Sequence, residues 1–253
     1  MRNMKIALQL WSLKDELLTP EWQSNGKLLE VIEKIAAMGY DGIEWALGDL
    51  GFTAAEIKAK LDEVGLVVSS AHVPFEKLRD NFDETIAFEK ALGNKYVVCP
   101  GVGAENGAEW AERIEALTEI NKKVEAEGLT FGYHNHAHEF VKFPELGDEY
   151  VLDLIYNKVG IAEIDVYWVE KFGLDPATYL AQYAGKTPLV HIKEMDESRE
   201  KSTVIGSGIL DMPGIIAQSK ANGAEWLVVE QEEFTKCHLE SVEDGLKYLR
   251  GVV

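Results

Sequence analysis

Five of the six histidines in this chain, His72, His134, His136, His138 and His191, stand where short hydrophobic runs give out, and carboxylates stand at neighbouring places. Glu44 follows Gly-Ile, Asp165 closes Ile161-Ala-Glu-Ile, and Glu230 and Glu232 follow Trp226-Leu-Val-Val. Imidazole and carboxylate donors without a thiolate suit one divalent metal of the Mn²⁺, Mg²⁺, Co²⁺ or Zn²⁺ kind rather than a soft-metal site. A single histidine at a strand end is more often a hydrogen-bonded structural residue. Four strand ends that each offer a ligand type point to a site.

Holding such groups together requires strands that end at one level. Eight strand-like runs are legible: Lys5–Trp11, Asp41–Ala46, Leu66–Val73, Lys95–Pro100, Leu129–His136, Ile161–Trp168, Pro188–Glu194 and Glu225–Glu232. Most are near-continuous Val, Ile, Leu and Ala, as in parallel strands covered on both faces. Between them, apolar residues recur at helical spacing, as at Ile57-Leu61-Val64, Trp110-Ile114-Leu117 and Val242-Leu246-Leu249. Thr53-Ala-Ala-Glu56 and Ser241-Val-Glu-Asp244 have the spacing of capping boxes, and Asp175-Pro176 reads as N-cap followed by first helical residue. Gly39, Gly65, Gly93, Gly128, Gly160, Gly185 and Gly223 each sit between a helical pattern and the next strand. A left-handed residue is wanted where a helix stops and turns back, and glycine supplies it without a Cβ penalty. Eight βα units over residues 1–253, with no linker, predict a single (β/α)₈ TIM barrel. A doubly wound open sheet is the alternative, but no strand–GxGxxG–helix segment supports it.

In a barrel of this kind function collects at the C-terminal ends of the strands. Alternation puts His191 with Lys193 on one face, Glu230 with Glu232, and His134 with His136 and Gly132. Glu44 reads equally well as a buried, paired carboxylate and as a substrate contact. Trp11, Trp45 and Trp168 are either core aromatics or walls of a sugar pocket. Glu163, on the face of Asp165 but one step deeper, is a buried charge whose partner the sequence does not name. Cys99-Pro-Gly101 reads as a turn rather than a reactive thiol. Gly206-Ser-Gly208-Ile-Leu-Asp211 either cradles a phosphate or substrate hydroxyl with backbone amides, or merely shapes a turn capped by Asp211.

Taken in order, these segments resemble a known family. Tyr133-His-Asn-His-Ala-His-Glu-Phe140 resembles a Y-H-N-H-x-x-E-F signature found in a branch of the xylose isomerase-like, sugar phosphate isomerase/epimerase superfamily. Asp165-Val-Tyr-Trp168, Val190-His-Ile-Lys193, Gly206-x-Gly-x-x-Asp211 and Val229-Glu-Gln231 follow in that family's order. The resemblance implies one divalent metal held by Asp165, His191 and Glu230. The family's strand-five glutamate is replaced here by histidines, so His136 is expected as the fourth ligand, with His134 next. Substrate contacts are expected from His72, Glu44, His134, Glu139 and Trp168. The implied chemistry is isomerisation or epimerisation of a sugar or polyol, through a metal-stabilised enediolate, with Glu230, His191 and Lys193 as catalytic groups. Elimination from a keto-sugar, keto-inositol or 3-keto-glycoside is the alternative outcome, and a catalytically silent sugar-binding barrel is the alternative from another class. Apurinic endonucleases share the barrel, but a net charge of −19 opposes a nucleic-acid or anionic-membrane surface. Two distant cysteines and no leader-like or spanning segment set the expectation of a cytoplasmic protein; the resemblance adds that of a homo-oligomer.

Overall fold

The computed structural model describes residues 4–253 and shows a closed barrel of eight parallel strands. They are β1 (Lys5–Gln9), β2 (Gly42–Trp45), β3 (Val67–His72), β4 (Tyr96–Cys99), β5 (Thr130–His134), β6 (Ile161–Asp165), β7 (Leu189–Ile192) and β8 (Trp226–Val229). Neighbours in sequence are neighbours in the barrel, and β8 closes onto β1 with Ala7 opposite Val228. Helices wrap the outside, so each strand is buried on both faces, which is why its sequence is apolar almost throughout.

Alternation divides the barrel interior into two levels. Ala7, Tyr96, Val98, Ile161, Leu189, Trp226 and Val228 form a separate apolar plug at the lower level. One step further along β1, β2, β3, β5 and β6 the inward side chains are polar: Gln9 on β1, Glu44 on β2, Ser70 and His72 on β3, His134 on β5, and Glu163 and Asp165 on β6. Glycine makes the plug fit. A Cβ on Gly132 would lie 2.6 Å from the Ile161 side chain.

Helix punctuation follows the sequence closely. Six of the seven glycine stops have left-handed φ between +78° and +97°. Gly160 is the exception; a Cβ there would meet the Phe131 carbonyl oxygen at 2.9 Å, so close approach rather than a left-handed turn calls for glycine. The Thr53–Glu56 capping box is formed, and Asp175 caps the helix Pro176–Ala181. Ser241 is not a cap. The last helix, His238–Val252, begins earlier and buries Ser241 inside it. The expected strands also run too far at their C-terminal ends. β6 stops at Asp165 and the helix Val166–Phe172 starts at once, so Trp168 is helical.

Candidate functional site

Parallel pairing sets the upper polar level. Asp165 lies opposite His191 across β6 and β7, and His134 opposite Glu163 across β5 and β6, while Glu230 is the first residue beyond β8. As a result His134, Asp165, His191 and Glu230 each present one ligand atom, all within 4.8 Å of one another and all buried.

The atoms are aimed by their other contacts. The Asp165 carboxylate is the N-cap of the helix that follows it, and its Oδ1 accepts from the backbone N–H groups of Tyr167 (2.8 Å) and Trp168 (3.3 Å). Its Oδ2 is buried without a hydrogen-bond partner and lies 3.9 Å from His134 Nε2. His191 turns Nδ1 to Glu230 (3.1 Å) and Nε2 to Glu44 (2.6 Å). His134 in the same way places Nδ1 3.5 Å from Glu163. Each imidazole therefore shows one nitrogen to the cluster and the other to a carboxylate behind it. That arrangement orients histidine ligands and raises their basicity in metal sites.

A brace holds these rear carboxylates. Glu44 accepts from Ser70 Oγ (2.6 Å) and from the side-chain amide of Gln9. Glu163 contacts His72 Nε2 at 2.6 Å, which supplies the partner missing in the sequence. Gln9 and Ser70 are site residues that reasoning from charged side chains passes over; the usable signal is a lone Gln interrupting the apolar run Ile6–Trp11.

Electrostatics favour a cation. Glu44, Glu163, Asp165 and Glu230 are buried together, with Lys193 as the permanent positive charge among them. Burial drives the Asp165 and Glu163 carboxyls upward and the His134 imidazole downward, which keeps His134 a neutral donor. Burial opposes ionisation of Glu230 as well, but Lys193 and His191 outweigh it and hold that carboxyl below the usual range. The neutral His134 imidazole, an orphaned carboxylate oxygen and four clustered carboxylates fit a divalent ion, which would displace the proton that Glu44, Glu163 and Glu230 favour on His191.

Above the cluster opens a cavity of about 760 Å³, floored by His72, His134, His136, Glu230 and Glu232. Of Glu44, Glu163, Asp165 and Glu230, only Glu230 borders it. The Lys193 ammonium pairs with Glu232, stands 3.9 Å from Glu230, and rests over the rings of Trp168 (5.0 Å) and Tyr167 (5.2 Å). Beside the cavity, Trp168 keeps a buried, unpartnered indole N–H.

Some expected residues take other places. His136 lies past the end of β5, with Nδ1 unpartnered, and groups with His138 and Glu139; the corner of the cluster expected for it is filled by His134. Glu139, expected at the substrate, is fully buried, with its oxygens accepting from Tyr133 Oη (2.9 Å) and the His136 backbone N–H (2.9 Å), so it braces the loop. Glu44 likewise lies beneath the cluster instead of at the cavity wall. His191 has no exposure, and its two nitrogens face Glu230 and Glu44. His72 and His134 do border the cavity. The Gly206–Asp211 loop turns around Glu194, whose carboxylate takes the amides of Leu210 (3.0 Å) and Gly206 (3.2 Å) that a phosphate would need, and Asp211 caps the next helix. Cys99 is inert, since burial pushes its thiol up to about 12.

Comparison with known proteins agrees with this architecture. The model of the family described as "Xylose isomerase-like TIM barrel" matches residues 32–252. Two solved structures of a sugar phosphate isomerase/epimerase from Parabacteroides distasonis ATCC 8503 superpose with TM-scores of 0.81 and 0.80 at 24% and 25% identity. They cover 98% and 97% of this chain and 94% and 98% of theirs. The IOLI protein, solved with a zinc atom bound, superposes at 0.73 with 18% identity, covering 99% of this chain and 98% of its own. No curated protein matches the chain.

Proposed function

This chain belongs to the xylose isomerase-like TIM barrel family, and from that premise we propose that it is a divalent-metal-dependent isomerase or epimerase of a sugar or polyol, moving a proton on the carbon beside a carbonyl. One observation carries the reading: the orphaned Asp165 Oδ2 faces two imidazoles and Glu230, and Glu230 also borders the cavity. His134, Asp165, His191 and Glu230 would hold the ion, of the Mn²⁺, Mg²⁺, Co²⁺ or Zn²⁺ class; the zinc of the similar IOLI structure supports that choice. Such an ion, when bound, polarises a carbonyl and stabilises the charge developing on its oxygen.

The protein's own groups do the rest. Glu230, kept ionised by Lys193 and His191, accepts the proton at the cavity floor. Lys193, with its ammonium 3.9 Å from Glu230 behind the cavity floor, sets the charge of that base, while His72 and His136 receive hydroxyls.

The test is exchange of the substrate's α-hydrogen with deuterated water, with keto-sugars and keto-inositols and added Mn²⁺ or Zn²⁺. The wild type exchanges and Glu230→Gln does not. Exchange retained in the variant removes Glu230 as the base, and no exchange by the wild type on any of these substrates sinks the proposal.

A further inference from the structure

One group of donors lies outside the inner cluster. His136, His138 and Glu139, on the turn after β5, each offer a ligand atom within 4.8 Å of the other two. Facing them is the loop after β4, and the two segments form a cleft with Pro100–Gly103 on one side and His136, His138 and Trp168 on the other. His138 sets this chain apart. It occupies an open position of the Y-H-N-H-x-x-E-F pattern, so the resemblance to that family does not call for a histidine there.

The spacing is that of a coordination shell. His138 Nε2 lies 3.4 Å from Glu139 Oε1 and 3.0 Å from the Val102 carbonyl oxygen. Ligands about 2.1 Å from a tetrahedral ion stand about 3.4 Å from one another. The carboxylate is held from behind, since Tyr133 Oη and the His136 backbone N–H both donate to it. His136 Nδ1 is buried with no hydrogen-bond partner, a cost that a bound cation would recover. Gly101 keeps the approach to these atoms clear. Its φ is +146°, and a Cβ there would come within 3.5 Å of His136 Nδ1 and 3.9 Å of Glu139 Oε1.

We propose that His136, His138 and Glu139 form a second metal site, for Zn²⁺, completed by the Val102 carbonyl oxygen or a water from the cleft. Two imidazoles and a carboxylate are a zinc donor set, whereas Mg²⁺ and Ca²⁺ take shells of oxygen. An anion in the same place would meet the Glu139 carboxylate. The site has three side-chain donors against the four of the inner cluster, and His138 is half exposed, so it fills only after the inner cluster does. It does not rest on the function proposed above, yet it adjoins it. His136 borders the main cavity as well as the cleft, and an ion on Nδ1 holds that ring in one orientation toward the substrate.

The experiment counts Zn²⁺ bound per chain, by equilibrium dialysis and elemental analysis, as free zinc is raised. The wild type is expected to take up one equivalent and then, at higher zinc, a second. His138→Gln should lose the second and keep the first, Asp165→Asn the reverse, and the double variant should bind none. His138 is half exposed, so its replacement leaves the core untouched. His238→Gln, which removes a histidine beside Asp15 and Glu16 elsewhere on the surface, should keep both equivalents. Co²⁺ bound to Asp165→Asn should give the visible absorption of a four-coordinate ion, abolished by adding His138→Gln. A single equivalent that Asp165→Asn keeps and His138→Gln loses upholds this site and refutes the inner cluster. Zinc uptake unchanged by His138→Gln, or reduced as much by His238→Gln, overturns the proposal, as does a wild type that binds no zinc.

Discussion

Replacing Asp165 by Asn separates two duties of one side chain. The amide keeps a carbonyl oxygen for the Tyr167 and Trp168 N–H groups, so the helix Val166–Phe172 retains its cap. What changes is Oδ2, the atom with no partner. In the metal-free protein, burial raises the Asp165 carboxyl above its ordinary value of 3.8. For an acid with a raised folded-state value, the cost to stability is absent in acid and grows as pH rises past 3.8. It is complete once the pH exceeds the folded-state value. Asp165→Asn should therefore leave the metal-free protein equally stable near pH 3.5 and more stable at pH 8. With metal the order reverses. A ligand at a hundred times its Kd adds about 2.7 kcal/mol, and for domains of roughly 150–250 residues each kcal/mol moves Tm by about 2–4 °C. Saturating metal should raise the wild-type Tm by roughly 5–10 °C and the variant's hardly at all. Differential scanning calorimetry with and without chelator reads both effects. A variant that keeps the metal-induced shift shows that Asp165 is not a ligand; one that is less stable than wild type without metal at pH 8 shows that Oδ2 was satisfied.

Two further substitutions probe the surroundings. Glu44→Gln removes the charge behind His191 while keeping its shape, and should weaken metal binding about 10–100-fold in competition with a chelating dye, the usual cost of losing a carboxylate behind a histidine ligand. Unchanged affinity would separate Glu44 from the metal site. Glu89→Gln relieves a carboxyl that burial pushes from 4.5 to about 7. At 1.36 kcal/mol per unit this displacement gives about 3 kcal/mol of added stability above pH 7 and none below pH 4.5, measured by urea unfolding at the two extremes. An equal gain at both would assign the effect to packing rather than charge.

The barrel was legible because its signals are local and repeated: apolar runs, helical spacing and glycine stops recur with each unit. The site was legible only in part, and His134 and His136 show why. Alternation puts both on one face of a strand, and nothing in Tyr133–His138 says where that strand ends. The end is set from outside, by Glu139 drawing the His136 backbone out of the ladder toward Tyr133, so the first histidine stays in the barrel and the second enters a loop. Asp165 hid a second duty for a related reason. Its run of Ile, Ala and Val reads as continuing strand, yet its own carboxylate starts a helix. The partner of Glu163 is His72, 91 residues away, a separation no pattern of periods can bridge. A sequence thus shows donors more readily than it shows how they are shared out. Here the sharing decides the chemistry. Once Oδ1 of Asp165 is spent on a helix and the rear nitrogens of His134 and His191 face Glu163 and Glu44, the atoms left over are the four that converge.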